Sequence, residues 1–200
     1  MQVTEKQYYS PEEYLAREDA ADYKSEYIDG EIIPMPGGST NHNQIAGNFS
    51  AALNFAFKTQ DYEVFMSDVR LWIPLRRIYT YPNVMIVAGE LEYFNNRTDT
   101  ITNPKVIIEV LSDSTQGYDK QAKFEFYRTI PSFAEYLLID QTKIYIEQYS
   151  KTANKRWSFR EYDAEDEAIA LASVQFEISF GDVYNKVKFA GVDVQAESGN

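Results

Sequence analysis

PKVIIEVLS, residues 104–112, is a strand-like run in which five of nine positions are Val, Ile or Leu and one, Glu109, is an acid. An unbroken apolar run of this kind suits a central strand covered on both faces. An ionised carboxylate inside such a strand costs on the order of several kcal/mol unless a partner charge, hydrogen bonds or a metal offsets its desolvation. The run therefore predicts a buried sheet and, with it, a compensating group brought over Glu109 from elsewhere in the chain.

Downstream, YDKQAKFEFYRTI (118–130) reads as a helix stopped by Pro131 and carrying Asp119, Lys120 and Lys123. EYLLID and KIYIEQYS are two strands joined at Gln141-Thr142; WSFREY and VQFEIS continue the strand pattern, and a short helix follows around 180–187. Upstream lie NVMIV (83–87) and EVFMSDVRLWI (63–73), the latter read as one strand with Asp68 in phase with Val64, Met66 and Trp72. Ile45, Phe49, Ala52, Leu53, Ala56 and Phe57 have the spacing of a helical core face. The loop GGSTNHNQ precedes them, with His42 in the opening turn of the helix. EYIDGEIIPM is a hairpin around Asp29-Gly30. Ser10-Pro11-Glu12-Glu13 starts a first helix, with Ser10 as cap, that should run to about Tyr23. The order α-β-β-α-β-β-β-α-β-β is a mixed α/β domain, expected as one unit over 1–200 with an additional antiparallel strand region toward the C-terminus.

Two hundred residues, 44% of them hydrophobic, suffice for one sizeable core. Zero Cys excludes disulfides and thiolate metal sites. MQVTEKQYYS lacks the apolar stretch of a secretory signal, and no segment approaches the ~18 apolar residues of a membrane span. The expectation is a soluble cytoplasmic domain with no membrane partner. A net charge of −12 argues against holding nucleic acid through a broad electrostatic surface. It leaves room for a local groove, where a bound divalent cation would offset acidic charge. KTANKRWSFR (151–160) is read as a solvated hairpin with a half-buried Trp157, the alternative being a contact surface for a nucleic-acid backbone.

YPNVMIV puts Asn83 at the mouth of an apolar run directly after Pro82. If that strand neighbours the Glu109 strand, the two polar side chains meet at one point of the sheet. Lys123 is far enough along to bring its ammonium back over that point, with Lys120 as its rival. A carboxylate, a second oxygen ligand and a lysine together suit Mg²⁺ or Mn²⁺ shared with a phosphate. There the cation polarises a phosphodiester and lysine steadies developing charge. Glycoside hydrolysis would need two facing acids, and Asn83 removes the obvious second one.

Pro82-Asn83, then Glu109-Val110-Leu111, then Lys123 resembles the PD-(D/E)XK nuclease superfamily. Leu111 stands where the motif lysine is usual, and Lys123 is the migrated lysine. More closely, SEYIDGEI, TNHNQIAGN, SDVRLWIP, TYPNVMIV, IIEVLSDST, YDKQAKFEFYR and PSFAEYLLID are similar, in order, to the Uma-two family of bacterial endonucleases. The resemblance implies a restriction endonuclease-like mixed central sheet flanked by helices, and a metal-dependent endonuclease acting on DNA, with a homodimer as the expected assembly. It implies Glu109, Lys123, Asn83 and Glu26 as catalytic residues, with Glu109 and Asn83 holding Mg or Mn and Glu26 orienting a water. Asp68, His42 and Lys120 form a wider circle. The family pattern has Asp where this chain has Asn83. A carboxamide brings no charge, so metal affinity should fall. The alternative is a nuclease-fold protein that binds nucleic acid or a protein partner without cleaving it.

Overall fold

In the computed structural model, which describes residues 7–112 and 119–189, the PKVIIEVLS stretch is a central strand. The chain begins with α1 (Pro11–Glu18), β1 (Ser25–Ile28), β2 (Glu31–Pro34) and α2 (Thr40–Ala56). Then come β3 (Tyr62–Met66), β4 (Arg70–Ile73), β5 (Ile78–Thr80), β6 (Val84–Ala88), β7 (Thr100–Ile101) and β8 (Val106–Leu111). A π-type turn (Asp119–Lys123) leads into the short α3 (Phe124–Tyr127). β9 (Glu135–Asp140), β10 (Ile146–Ala153), β11 (Arg156–Tyr162), β12 (Ala168–Leu171), β13 (Phe176–Ser179) and α4 (Phe180–Val183) follow.

The large sheet has the order β11-β10-β9-β8-β6-β3 and is mixed, with β8 and β9 parallel and the other pairs antiparallel. A second sheet has the order β2-β1-β5-β4-β7, and β12 and β13 form an antiparallel ribbon. Ile45, Phe49 and Leu53 of α2 cover one face of the large sheet, against Val84, Ile86, Val106, Ile108 and Val110. The other face, with Met85, Ile107, Leu111 and Leu138, packs on Leu71, Ile73 and Ile78 of the second sheet and on Tyr127, Ile130 and Phe133. Both faces are thus covered, as the apolar runs require. Glu109 alternates with Ile107 and Leu111 and so belongs to the second, between-sheet face. α1 buries Tyr14 in an aromatic cluster with Tyr27, Trp72 and Tyr79.

Several elements differ from their sequence reading. α1 has the expected capping box of Ser10 and Glu13 but ends at Glu18, short of Tyr23. The C-cap Asp19 is clamped by Arg97, and Glu18 turns to accept from the Ser25 backbone N–H. α2 starts at Thr40, capped by Ser39, so much of the expected loop is already helical. EVFMSDVRLWI is two strands, not one. The chain turns at Ser67-Asp68, where Ser67 N–H donates to Asn83 O at 3.3 Å, and β3 and β4 enter different sheets. Asp68 is therefore a turn residue rather than a strand residue in phase with Trp72. The helix expected over 118–130 begins outside the described residues, and its α-helical part stops at Tyr127. The expected domain of 1–200 likewise extends at both ends beyond the described residues. Residues 151–160 do form a hairpin, with Trp157 half-buried against Phe124 and Phe133 at ring separations of 5.1 and 5.5 Å. Among the described residues no helix is long and apolar enough to cross a membrane.

Candidate active site

Strands β6 and β8 run antiparallel with Val84 opposite Ile108, so Asn83 and Glu109 are the next pair, at the strand mouth. The Asn83 backbone N–H donates to Glu109 Oε2 at 3.1 Å, and the Val110 N–H donates to Asn83 Oδ1 at 2.7 Å. Only the carbonyl end of an amide accepts from an N–H, which fixes the orientation of the Asn83 side chain. The carboxamide thus spends its oxygen on locking β6 to β8.

Glu109 is 2% exposed. Lys123 Nζ stands 3.1 Å from its Oε1, and the Tyr127 hydroxyl donates to the same oxygen at 2.9 Å. Lys123 also reaches Glu26 Oε1 at 3.5 Å, and the Thr80 hydroxyl donates to that oxygen. Glu26 is on β1 of the second sheet and Glu109 is on β8 of the first, so one ammonium bridges two acids contributed by two sheets. Ion pairing and hydrogen bonds together supply the compensation that an acid in an apolar strand demands.

Lys120 does not share this contact. Its Nζ pairs with Glu147 on β10 at 2.6 Å. Asp68 lies outside the Glu109–Lys123 contacts: its side chain is 86% exposed and pairs with Lys24, not with nearby Arg70. Arg70 instead binds Tyr81 at 2.8 Å and faces Asp19 and Asp99. His42 is in the first turn of α2, where its backbone N–H donates to Ser39 Oγ at 3.1 Å. Its side chain lines a cleft of about 100 Å³ together with Asn83, Glu109, Lys123 and Tyr81. A Cβ at Gly38 would come within 2.8 Å of His42 Nδ1, so the absence of a side chain there lets the imidazole lie against the loop. Burial pushes the Tyr81 phenol up to about 12, so it stays neutral while its hydroxyl donates to Glu18 at 2.8 Å.

Tyr127 and Thr80 are contacts that the sequence reading missed. Each left a signal: Tyr127 is four residues past Lys123, one turn along the same helical segment, and Thr80 lies within the TYPNVMIV block itself. Among the described residues no group of three or more His, Asp or Glu is close enough to hold a metal alone. The donor chemistry still fits a hard cation of the Mg²⁺ kind, which keeps several waters and takes one or two carboxylates plus substrate oxygens. Glu109 would be the anionic ligand and Asn83 the neutral one.

A mixed sheet flanked by helices, with an acid and a lysine gathered at one strand mouth, is the restriction endonuclease-like fold. A crystal structure described as a "putative nuclease belonging to DUF820", from Anabaena variabilis ATCC 29413, shares the fold, with a TM-score of 0.70 at 19% identity over 88% of this chain and 97% of that one. The chain belongs to the Uma2 family, described as "Putative restriction endonuclease", whose model matches residues 11–181. Two relatives come from Synechocystis sp. (strain ATCC 27184 / PCC 6803 / Kazusa). Protein sll1609 is 46% identical over 80% of this chain and 90% of its own length. Protein slr1290 is 34% identical over 90% of this chain and 93% of its own length.

Proposed function

We propose that the protein is an endonuclease that hydrolyses phosphodiester bonds in DNA with Mg²⁺ or Mn²⁺ at Glu109 and Asn83. The observation that carries this reading is Lys123 held between Glu109 and Glu26, 3.1 and 3.5 Å away, beside the cleft that Asn83 and His42 also line. When bound, the cation supplies polarisation of the phosphoryl oxygen and a more acidic water. Lys123 steadies the negative charge that grows on the phosphate. Glu26, itself oriented by Thr80 and Lys123, positions the attacking water. Tyr127 and the Asn83 N–H keep the Glu109 carboxylate in one rotamer. His42 forms part of the cleft wall, where the substrate backbone would pass.

A second reading, a nuclease-fold protein that binds nucleic acid without cutting it, is favoured by one contact. The Asn83 oxygen is neutral and already accepts from Val110.

Asn83→Asp separates the two readings. The aspartate is isosteric: one oxygen keeps the Val110 bond and the other takes the place of Nδ2. Mn²⁺ should bind more tightly, because a hard cation prefers an anionic oxygen. The variant should be less stable than wild type in chelator and regain stability on adding Mg²⁺. Plasmid cleavage by purified protein should appear or strengthen, and Glu109→Ala should lower it by about 100-fold or more. DNA binding with no cleavage by either the wild type or Asn83→Asp would favour the second reading.

A further inference from the structure

Three cavities run together along one side of the molecule. The cleft over Glu109 adjoins one of about 330 Å³, which shares Tyr81, Asn83 and His42 with it and adds Lys24 and Ser67. A third, of about 450 Å³, shares Lys24 and Tyr81 with the second and opens past Tyr23, between Lys24 and Arg70 and the acids Glu18, Asp22 and Asp68. Lys24 and Tyr81 thus stand where the groove leaves the cleft.

The cations along this path are held very differently. Lys123 lies between two buried carboxylates, and Arg70 is buried against Tyr81 and faces Asp19 and Asp99. Lys24 is 42% exposed in its side chain, donates to Ser67 O at 3.1 Å and lies 5.6 Å from the centre of the Tyr81 ring. Its carboxylate partner, Asp68, is 86% exposed. An exposed ion pair of this kind contributes little and exchanges readily for a stronger anion. A phosphate offers Lys24 charge-assisted hydrogen bonds of the same sort with more acceptor oxygens. The Tyr81 phenol, beside Lys24, is neutral and ties up Glu18, to which its hydroxyl donates at 2.8 Å.

We propose that Lys24 binds a phosphodiester of the DNA strand flanking the one placed over Glu109, and that Asp68 is the counter-ion it releases to do so. This rests on the nuclease reading above. Asp68 then acts as a built-in competitor: its carboxylate occupies the phosphate's position in the free protein and sets a threshold for loading the groove. The chain carries a net charge of −12, so a local cation freed only by exchange restricts binding to strands that reach the cleft.

The test is fluorescence anisotropy of a labelled single-stranded DNA 20-mer with the full chain in chelator, over a range of salt. Both side chains are exposed, so the variants should fold, which circular dichroism checks. Lys24→Ala should weaken binding and lower the slope of log K against log salt by about one, whereas Lys24→Arg should keep the slope. Asp68→Asn should tighten binding about two- to fivefold, the scale of an exposed pair. That gain should shrink in the Lys24→Ala background. An unchanged slope in Lys24→Ala, or no gain in Asp68→Asn, would overturn the proposal. If the wild type cuts DNA while these variants bind as it does, the Lys24 subsite falls and the nuclease reading stands. If the wild type binds no DNA in chelator, the Lys24 subsite falls, and if it also neither binds nor cuts DNA with Mg²⁺, the nuclease reading falls with it.

Discussion

An acid in an apolar strand is legible in sequence because its cost is large, and Glu109 shows how that cost is met. The positions of Asn83, Glu109 and Lys123 all follow from strand adjacency and a short return. The choice between Lys120 and Lys123 does not. In an α-helix, residues three apart share a face. The wider π-type turn at 119–123 separates the two lysines, sending Lys120 to Glu147 on β10 and Lys123 to Glu109 on β8. Nothing in the local composition announces that turn. The two lysines should differ sharply when neutralised. Lys123→Met strands a 2% exposed carboxylate and should cost about 3–5 kcal/mol in urea denaturation. Lys120, whose side chain is 31% exposed, also pairs with a buried acid, but Glu147 keeps hydrogen bonds from Tyr145 and Tyr149, so Lys120→Met should cost less, about 1–2 kcal/mol. Adding Glu109→Gln to Lys123→Met should recover part of the loss, because the stranded charge is gone. A Lys123→Met cost no larger than that of Lys120→Met would mean that other groups compensate Glu109.

At the level of elements, the breaks were harder to read than the elements themselves. EVFMSDVRLWI is strand-like on both sides of Ser67-Asp68, and two polar residues between apolar runs do not by themselves locate a turn that is decided by pairing: β3 with β6, and β4 with β5. β5 and β7 have three and two residues, too short for any pattern. The early end of α1 is likewise tertiary. Arg97 binds its C-cap Asp19 at 2.8 and 3.0 Å, and binds Asp99, just before β7, at 2.8 and 2.9 Å. These bonds tie α1 to the second sheet. Hydrogen bonding from Arg97 holds the Asp99 carboxyl down at about 2, against an ordinary 3.8. A carboxyl whose folded pKa is depressed contributes stability that is fully present above its unfolded pKa and is lost as pH falls through its folded one. The stability advantage of wild type over Arg97→Met should therefore shrink as pH drops from about 3.8 to about 2. In the variant, the Asp99 pKa read by NMR should move up toward its ordinary value. A pH-independent difference between the two proteins would show that Arg97 acts through packing instead.

For the whole molecule, the sequence discloses that the strands are covered on both faces but not that they divide between two sheets, because apolar runs look alike whichever sheet receives them. What joins the sheets is the core between them, where Leu71, Ile73 and Ile78 of the second sheet interdigitate with Met85, Val87, Ile107 and Leu138 of the first. The site spans the same seam, with Glu26 on one side and Glu109 on the other. Separating the sheets would expose that core and unpair Lys123 at once, so we propose that they unfold as one cooperative unit. The two Trp residues can report on this independently. Trp72 is on β4 of the second sheet, stacked on Tyr79 at 4.1 Å, and Trp157 is on β11 at the edge of the first. Trp157→Phe leaves fluorescence that reports the second sheet alone, and Trp72→Phe leaves fluorescence that reports the first. Either substitution shifts stability somewhat, so each variant is compared with its own far-UV circular dichroism. In both, the fluorescence and dichroism midpoints in urea should coincide, the signature of a two-state transition. If Trp72 fluorescence in Trp157→Phe were lost at lower urea than the dichroism, the second sheet would open separately, and the pairing of Glu26 with Lys123 would be a contact between two units rather than part of one core.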